Sequence, residues 1–267
     1  MYYNLISLMP KISAVSDADA QAFIVAAGIT DTTQKNAINQ LVIDLKGFSI
    51  WAKFNCLYPF VGGTATTHKW NLKNPLDTDA AFRLTFSGGI THDSNGITGN
   101  GSNSYCNTHL NPSTVLSLNS SHVAYYSRSN IQNGSLVFDE GLYIGSNSSY
   151  TLSFARNTSN VAWSAFWGDT NLTTGSVTDS RGLFVGTRQD STNSKLFFNN
   201  SLKGNNTVAN ATTRPNGNVY ILTSNGLGGF SSRNLAFYSR GEGLTDTDVA
   251  NLTTAVATFE TSLSRNV

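Results

Sequence analysis

Charge is what this chain has least of. Charged residues make up 12% of 267, about half the share usual in globular domains. The formal balance is +1, and no basic run or stripe forms, which argues against a nucleic-acid partner. No apolar run approaches bilayer length, so membrane insertion is not expected. The apolar start, MYYNLISLMPKI, lacks a basic n-region and an A-x-A-like site and does not read as a signal peptide. Cysteine is scarce as well. Cys56 and Cys106 read as two buried thiols, with one disulfide as the alternative. Glutamate occurs only as Glu140, Glu242 and Glu260, whereas glycoside hydrolysis needs two positioned carboxyl groups. Glu242 stands in GEG before a helix, where a turn or capping role is expected. Asp139-Glu140 stands before GLYIG, where a charged hairpin turn is expected.

Catalytic and ligand motifs are missing too. Gly62 and Gly63 in YPFVGGTATTHKWNLKNP precede Lys69 without the G-x-x-x-x-G-K-[ST] spacing that surrounds a phosphate. The four histidines His68, His92, His109 and His122 form no H-E-x-x-H, so zinc has no motif. His68 and His92 read as hydrogen-bonded structural residues. No G-x-S-x-G elbow exists. No cofactor or metal is expected. Calcium could enter only through Asp77, Asp79 and Asp93 with loop carbonyls, and solvated loop aspartates are the plainer reading. N-x-[ST] sequons such as Asn157-Thr158-Ser159 follow from the composition and decide nothing.

In place of charge stand Asn, Ser, Thr and Gly, with 23 glycines and 11% aromatics. That is the composition of short strands joined by turns around a real core. Ser16 with Asp19 forms a capping box before a helix whose Ala22, Phe23 and Ala26 share a face, and Gly28 stops it. Asp31 with Gln34 caps a second helix, about Asp31 to Lys46, striped by Ile38, Leu41, Leu45 and Phe48. Met1 to Val15 reads as an extended arm broken by Pro10.

From about Ile90 the period is two. HVAYYSR, GLYIGS, YTLSFAR, VAWSAFWG, GLFVGTR, SKLFFNN, NVYILTS and NLAFYSR alternate with turn-rich pieces, and no helix falls between them. An antiparallel sandwich follows. VAYYSRS and LAFYSRG echo each other as two strands of one sheet. Thr245 with Asp248 caps a last helix striped by Val249, Leu252, Val256, Phe259 and Leu263.

On VAWSAFW, Val161, Trp163, Ala165 and Trp167 are expected inside and Ser164 and Phe166 outside. Exposed aromatics beside planar polar groups suit a sugar, whose C–H face stacks and whose hydroxyls need donors. Tyr126, Arg128, Tyr143 and Arg188 are the ligand-binding candidates of that kind, and no catalytic residue is assigned.

The segment IWAKFNCLYPFVGGTATTHKWNLKNPLDTDAAFRLTFSGGITHDSNGITGNGSNSYCNTHLNPS resembles one found in virion proteins of tailed bacteriophages. GLFVGTRQDSTNSKLFFNNSLKG resembles the concanavalin A-like (LamG-type) sandwich, with Asn199-Asn200-Ser201 where Asn-Gly is usual. AFYSRGEGLTDTDVANLTTAVATFETSLSR is similar to that family's closing strand and terminal helix. No E-x-D-x-E strand of the family's glycosidases is present.

The resemblance spans about Ala18 to Arg265 and carries over no catalytic residue. It implies a mainly β fold, a concanavalin A-like antiparallel β-sandwich (jelly roll) with N-terminal helices and a C-terminal helix. Residues 1–55 would be an arm and helical docking segment, and residues 56–267 the sandwich. The expected role is a virion structural protein displaying a lectin-like module for decoration or host-glycan adhesion. It would contact other virion proteins through the N-terminal segment, as a homo-oligomer. A purely architectural subunit and a tail depolymerase are the alternatives. Tyr58-Pro59-Phe60 is expected to enter the first strand, with an architectural loop after it.

Overall fold

A computed structural model describes residues 15–134, 136–145, 150–167, 172–209 and 213–267. The expected arm, Met1 to Val15, lies almost wholly outside the described residues, as does Asp169. The expected sandwich is there: two antiparallel sheets facing each other, with helices laid on one of them.

Among the described residues five α-helices form: α1 (Ala18–Ala27), α2 (Thr32–Gly47), the one-turn α3 (Ala65–His68) and α4 (Pro112–Val115), and α5 (Asp246–Ser262). Asp17, rather than Ser16, caps α1, because its carboxylate accepts from both Asp19 N and Ala20 N. Gly28 closes that helix at φ 66, the left-handed C-cap glycine favours. Asp31 caps α2 through Gln34 N, and Thr245 caps α5 in a full capping box with Asp248.

Among the described residues fifteen strands run in chain order as β1 (Phe54–Tyr58), β2 (Thr85–Ser87), β3 (Thr91–Asp93), β4 (Gly96–Thr98), β5 (Tyr105–Asn107), β6 (Ser121–Ser127), β7 (Glu140–Tyr143), β8 (Tyr150–Phe154), β9 (Val161–Phe166), β10 (Leu172–Ser176), β11 (Gly182–Arg188), β12 (Ser194–Phe198), β13 (Ser201–Asn206), β14 (Tyr220–Ile221) and β15 (Asn234–Gly241). One sheet is ordered β13-β12-β11-β6-β15-β4-β3, with β1 also on β15. The other is ordered β10-β9-β8-β7-β14-β5-β2. The echoed segments β6 and β15 are direct neighbours, pairing Tyr125 with Tyr238.

Two cores result. Val123, Tyr125, Phe184, Leu196, Leu235 and Tyr238 of the first sheet meet Phe166, Leu142 and Ile221 of the second. On its other face the first sheet puts Ala124, Tyr126, Leu183, Val185, Phe197 and Phe237 against the stripes of α1, α2 and α5. This explains why β6 and β11 are buried at every position: a strand covered on both faces has no solvent side. The stripe of α2 therefore packs on its own chain, and the helices share one core with the sheet.

Tyr58-Pro59-Phe60 leaves the first strand rather than entering it, since β1 ends at Tyr58. The loop that follows is held by Asn71, whose Oδ1 accepts from Leu57 N (3.0 Å) and whose Nδ2 donates to the carbonyl of Ala81 (3.0 Å). Cys56 and Cys106 are free and buried, and burial pushes the Cys56 thiol up to about 12.

Candidate functional site

The helices cover the first sheet and leave the outer face of the second. Strand alternation puts Tyr143 of β7, Tyr150, Leu152 and Phe154 of β8, and Trp163 and Ala165 of β9 on that face. Phe154 stacks on Trp163 with centroids 5.4 Å apart and planes 12° apart. Tyr150 lies 6.2 Å from Trp163 and 5.9 Å from Tyr143. The expected facing of β9 is thus reversed. Phe166 is wholly buried between the sheets, while Trp163 packs outside. The inner space opposite β9 is small: a side chain on Gly186 of β11 would collide with Ser164. Ala162 and Ser164 fit there and Trp163 does not. Trp167 does reach the core, because its φ of 65 breaks the alternation just past the strand. Its indole N–H donates to the carbonyl of Leu118 (2.9 Å).

Further along the same sheet, Tyr105 of β5 and Tyr220 of β14 stack at 4.6 Å with planes 7° apart. They border a pocket of about 300 Å³, completed by Thr223, Ser224, Asn225, Leu227 and Phe230. The turn Ser224–Gly228 shapes it, with Ser224 N donating to Gly228 O and Gly228 N to Ser224 O. Gly226 sits at φ 105, and any side chain there would strike the Tyr143 carbonyl. Glycine is what lets the turn lie flat on β7. Thr223 and Ser224 are each 2% exposed, yet Thr223 Oγ1 and Ser224 Oγ have no partner within the protein. Both hydroxyl oxygens lie beneath the pocket surface rather than on it.

The floor beneath is ionic. Asp139 is fully buried and accepts from Arg233 Nε (2.8 Å), Ser231 Oγ (2.7 Å), Asn133 Nδ2 (3.0 Å) and Ala155 N (2.8 Å). Its carbonyl accepts from Leu222 N, so it clamps both ends of the segment carrying the turn. Next to it Glu140 pairs with Arg240 Nη1 at 2.6 Å between the sheets. The expected charged hairpin at Asp139-Glu140 is instead two buried ion pairs. Burial raises the Glu140 carboxyl above its ordinary range, against the pull of Arg240. Glu260 is likewise buried and paired with Arg265 (2.8 Å).

The four candidates from the sequence do not converge. Tyr126 is buried beneath the chain end, its hydroxyl donating to Asn266 Oδ1 (2.6 Å) and accepting from Val267 N (2.9 Å). Arg128 donates to the carbonyl of Arg265 (2.8 Å). Arg188 is buried and donates to the carbonyl of Asp190 (2.9 Å). Tyr143 alone lies on the aromatic face. Tyr126 and Arg188 sit on strands of the first sheet that are buried at every position, and Arg128, half-buried, falls just past the end of β6. The Tyr105–Tyr220 pair and the pocket turn were missed, although Asn225-Gly226 and Gly228-Gly229 in TSNGLGGF signal a tight turn.

His68 and His92 do meet, Nδ1 to Nδ1 at 3.0 Å. Gly63 N donates to His68 Nε2, so His68 Nδ1 is the donor of the pair. Asp77 and Asp79 both bind Arg83 rather than each other, and Asp93 caps Asn95 N instead. Among the described residues no group of three His, Cys, Asp or Glu side chains could hold a metal. No helix among them is long and apolar enough to cross a membrane. A second, open hollow of about 480 Å³ lies by Asp179, Arg181, Asn199 and Lys203, where Arg181 is already paired with Asp179 (2.7 Å).

No protein-family profile and no curated protein matches the sequence. Solved structures do match in shape. Domain 4 of AbnA, an extracellular arabinanase from Geobacillus stearothermophilus in complex with arabinotriose, aligns at 15% identity and TM-score 0.51 over 75% of this chain and 98% of that one. The structure titled HCR/D-Sa-GBL1/C aligns at 12% and TM-score 0.54 over 77% of this chain and 52% of the other. Trypanosoma rangeli sialidase in complex with sialic acid aligns at 11% and 0.49 over 76% and 33%. The first two place this chain in a class, the jelly-roll β-sandwiches.

Proposed function

We propose that this chain is a glycan-binding module of a bacteriophage virion, exposed on tail or capsid for decoration or host-surface adhesion, without catalysis. The observation that carries glycan binding is the Tyr105–Tyr220 stack beside a pocket lined by Asn225, Leu227 and Phe230. An aromatic face packs against the C–H face of a sugar while polar groups take its hydroxyls. The arabinotriose complex of the AbnA domain, a chain matched over 98% of its length, fits this reading. The virion setting rests on the resemblance in sequence.

Absence of catalysis is supported by the placement of two of the three glutamates. Glu140 and Glu260 are sealed in arginine pairs inside the protein, whereas a glycosidase acid or base must reach the scissile bond. The N-terminal segment would hold the module to other virion proteins, and exposed Val25 and Ile43 on the helical layer offer apolar contact. Many weak sites on a homo-oligomer or particle would add by avidity.

The test is an array of host-surface glycans probed with purified protein and with a Tyr220→Ala variant. Binding lost in the variant supports the reading, and no binding to any glycan overturns it. Release of reducing ends that stops in Asp169→Asn would establish a depolymerase instead. Deleting residues 1–15 should leave the sandwich folded and stop incorporation into particles, and normal incorporation would refute the docking role.

A further inference from the structure

We infer that the pocket beside Tyr105 and Tyr220 takes one uncharged sugar unit, and that acidic sugars are excluded from it. This rests on the glycan-binding reading above. Among the described residues lining the pocket none carries a charge; they are tyrosine, phenylalanine, leucine, glycine, asparagine, threonine and serine. A carboxylate brought there gives up part of its hydration and meets no cation in return. The nearby arginines are committed elsewhere: Arg233 to Asp139 and Arg240 to Glu140, both beneath the sheet and wholly buried.

A neutral sugar meets the opposite situation. Tyr105, Tyr220 and Asn225, all part-exposed at the pocket, carry hydroxyl and amide groups that can donate to and accept from sugar hydroxyls. The volume, about 300 Å³, is at the small end of ligand sites and suits a single ring. The stacked tyrosines supply the apolar wall. Leu227, 39% exposed, stands at the rim.

The experiment is ligand-observed and amide-mapped NMR titration of the full chain at neutral pH. The neutral probes are methyl α-glucopyranoside, methyl β-galactopyranoside and methyl α-arabinofuranoside. The acidic probes are glucuronic acid and N-acetylneuraminic acid. The expected result is saturable binding of a neutral glycoside, at least about tenfold tighter than either acid, with shifts at Thr223, Ser224 and Gly226. Tyr220→Ala, which removes one ring of the stack, should weaken it by at least about tenfold. Leu227→Lys changes an exposed side chain, so it tests the pocket even if Tyr220→Ala misfolds. It should raise acid affinity relative to neutral.

Acids bound as well as neutral sugars, with shifts in this pocket, would overturn the inference and leave the glycan reading standing. So would neutral binding that both variants leave untouched, or array glycans bound while every simple glycoside is ignored. If neither array nor glycosides show binding, both readings fall together.

Discussion

Mild acid should destabilise this protein through two histidines. His68 is buried against His92 and Phe60, and burial, with the nearby His92 and Arg265, lowers it from 6.5 to about 3. His122 is fully buried, with Nδ1 donating to the carbonyl of Glu242 (2.5 Å) and Nε2 beside Ser239 Oγ (3.3 Å). Burial lowers it from 6.5 to about 4, helped by Arg240 and Lys53 and opposed by the Glu242 carbonyl and Asp248. Both groups stay neutral in the folded chain while the unfolded chain takes up protons below pH 6.5. The unfolded state then binds more protons, so stability rises with pH across this window and falls as pH drops. Between pH 7 and pH 5 each histidine removes about 2 kcal/mol, about 4 together. At pH 5 the size is set almost wholly by the unfolded value, because both folded values lie well below 5.

Glu140 and Glu260 act in the other direction. Burial raises both carboxyls, so protonation on acidification favours the folded state. The parent protein alone therefore mixes the two signs. The assay is urea unfolding at pH 7 and pH 5 for the parent, His68→Gln, His122→Gln and the double variant. The glutamate contribution is common to all four and cancels in the differences. Each single variant, whatever its stability at pH 7, should lose about 2 kcal/mol less than the parent on going to pH 5, and the double about 4 less. Superimposable pH dependences for parent and double variant would refute the argument.

Breaking the Glu140–Arg240 pair by Glu140→Gln should cost roughly 3–5 kcal/mol in urea unfolding, and Glu140→Leu with Arg240→Met should cost less than the single change, because no charge is then left unpaired. Cys56 and Cys106 should resist a disulfide reagent at pH 8 in the native protein and react fully in denaturant, since burial suppresses the thiolate. Asp139→Asn should both destabilise the fold and weaken any ligand bound beside Ser224, because Asp139 fixes the strand ends that carry the turn. Far-UV circular dichroism should be dominated by strand, and a helix-dominated spectrum would contradict the sandwich.

What the sequence shows well is local. The capping pairs Asp31–Gln34 and Thr245–Asp248 are written three residues apart, and both helices begin where those pairs place them. The strands β6, β8, β9, β11, β12 and β15 are runs long enough for their alternation to be read. The short strands β2 to β5 were not read, because three residues carry no period and only their pairing across the sheet defines them. The failures at Tyr126 and Arg188 have one cause. Alternation tells which residues share a face, but a third layer decides whether that face is wet. Nothing within β6 or β11 announces that α1, α2 and α5 will cover it.

The pocket was hidden for a related reason. Tyr105 and Tyr220 are 115 positions apart in sequence and become a stack only because β14 inserts between β7 and β5. A late two-residue strand thereby sets an aromatic ring from the far end of the chain beside one from the first half. The same insertion carries Thr223 and Ser224 in behind it, held by an aspartate whose arginine partner arrives later still, at position 233. Placing the binding face thus depends on the closure of the second sheet, and variants that loosen β14 should lose ligand before they lose the fold. Ile221→Ala, which removes the strand's wholly buried anchor, should cost about 2–5 kcal/mol. In urea it should release bound glycoside at a lower concentration than that which unfolds the helical layer. Coincident loss of both would show that the site and the whole sandwich melt as one unit.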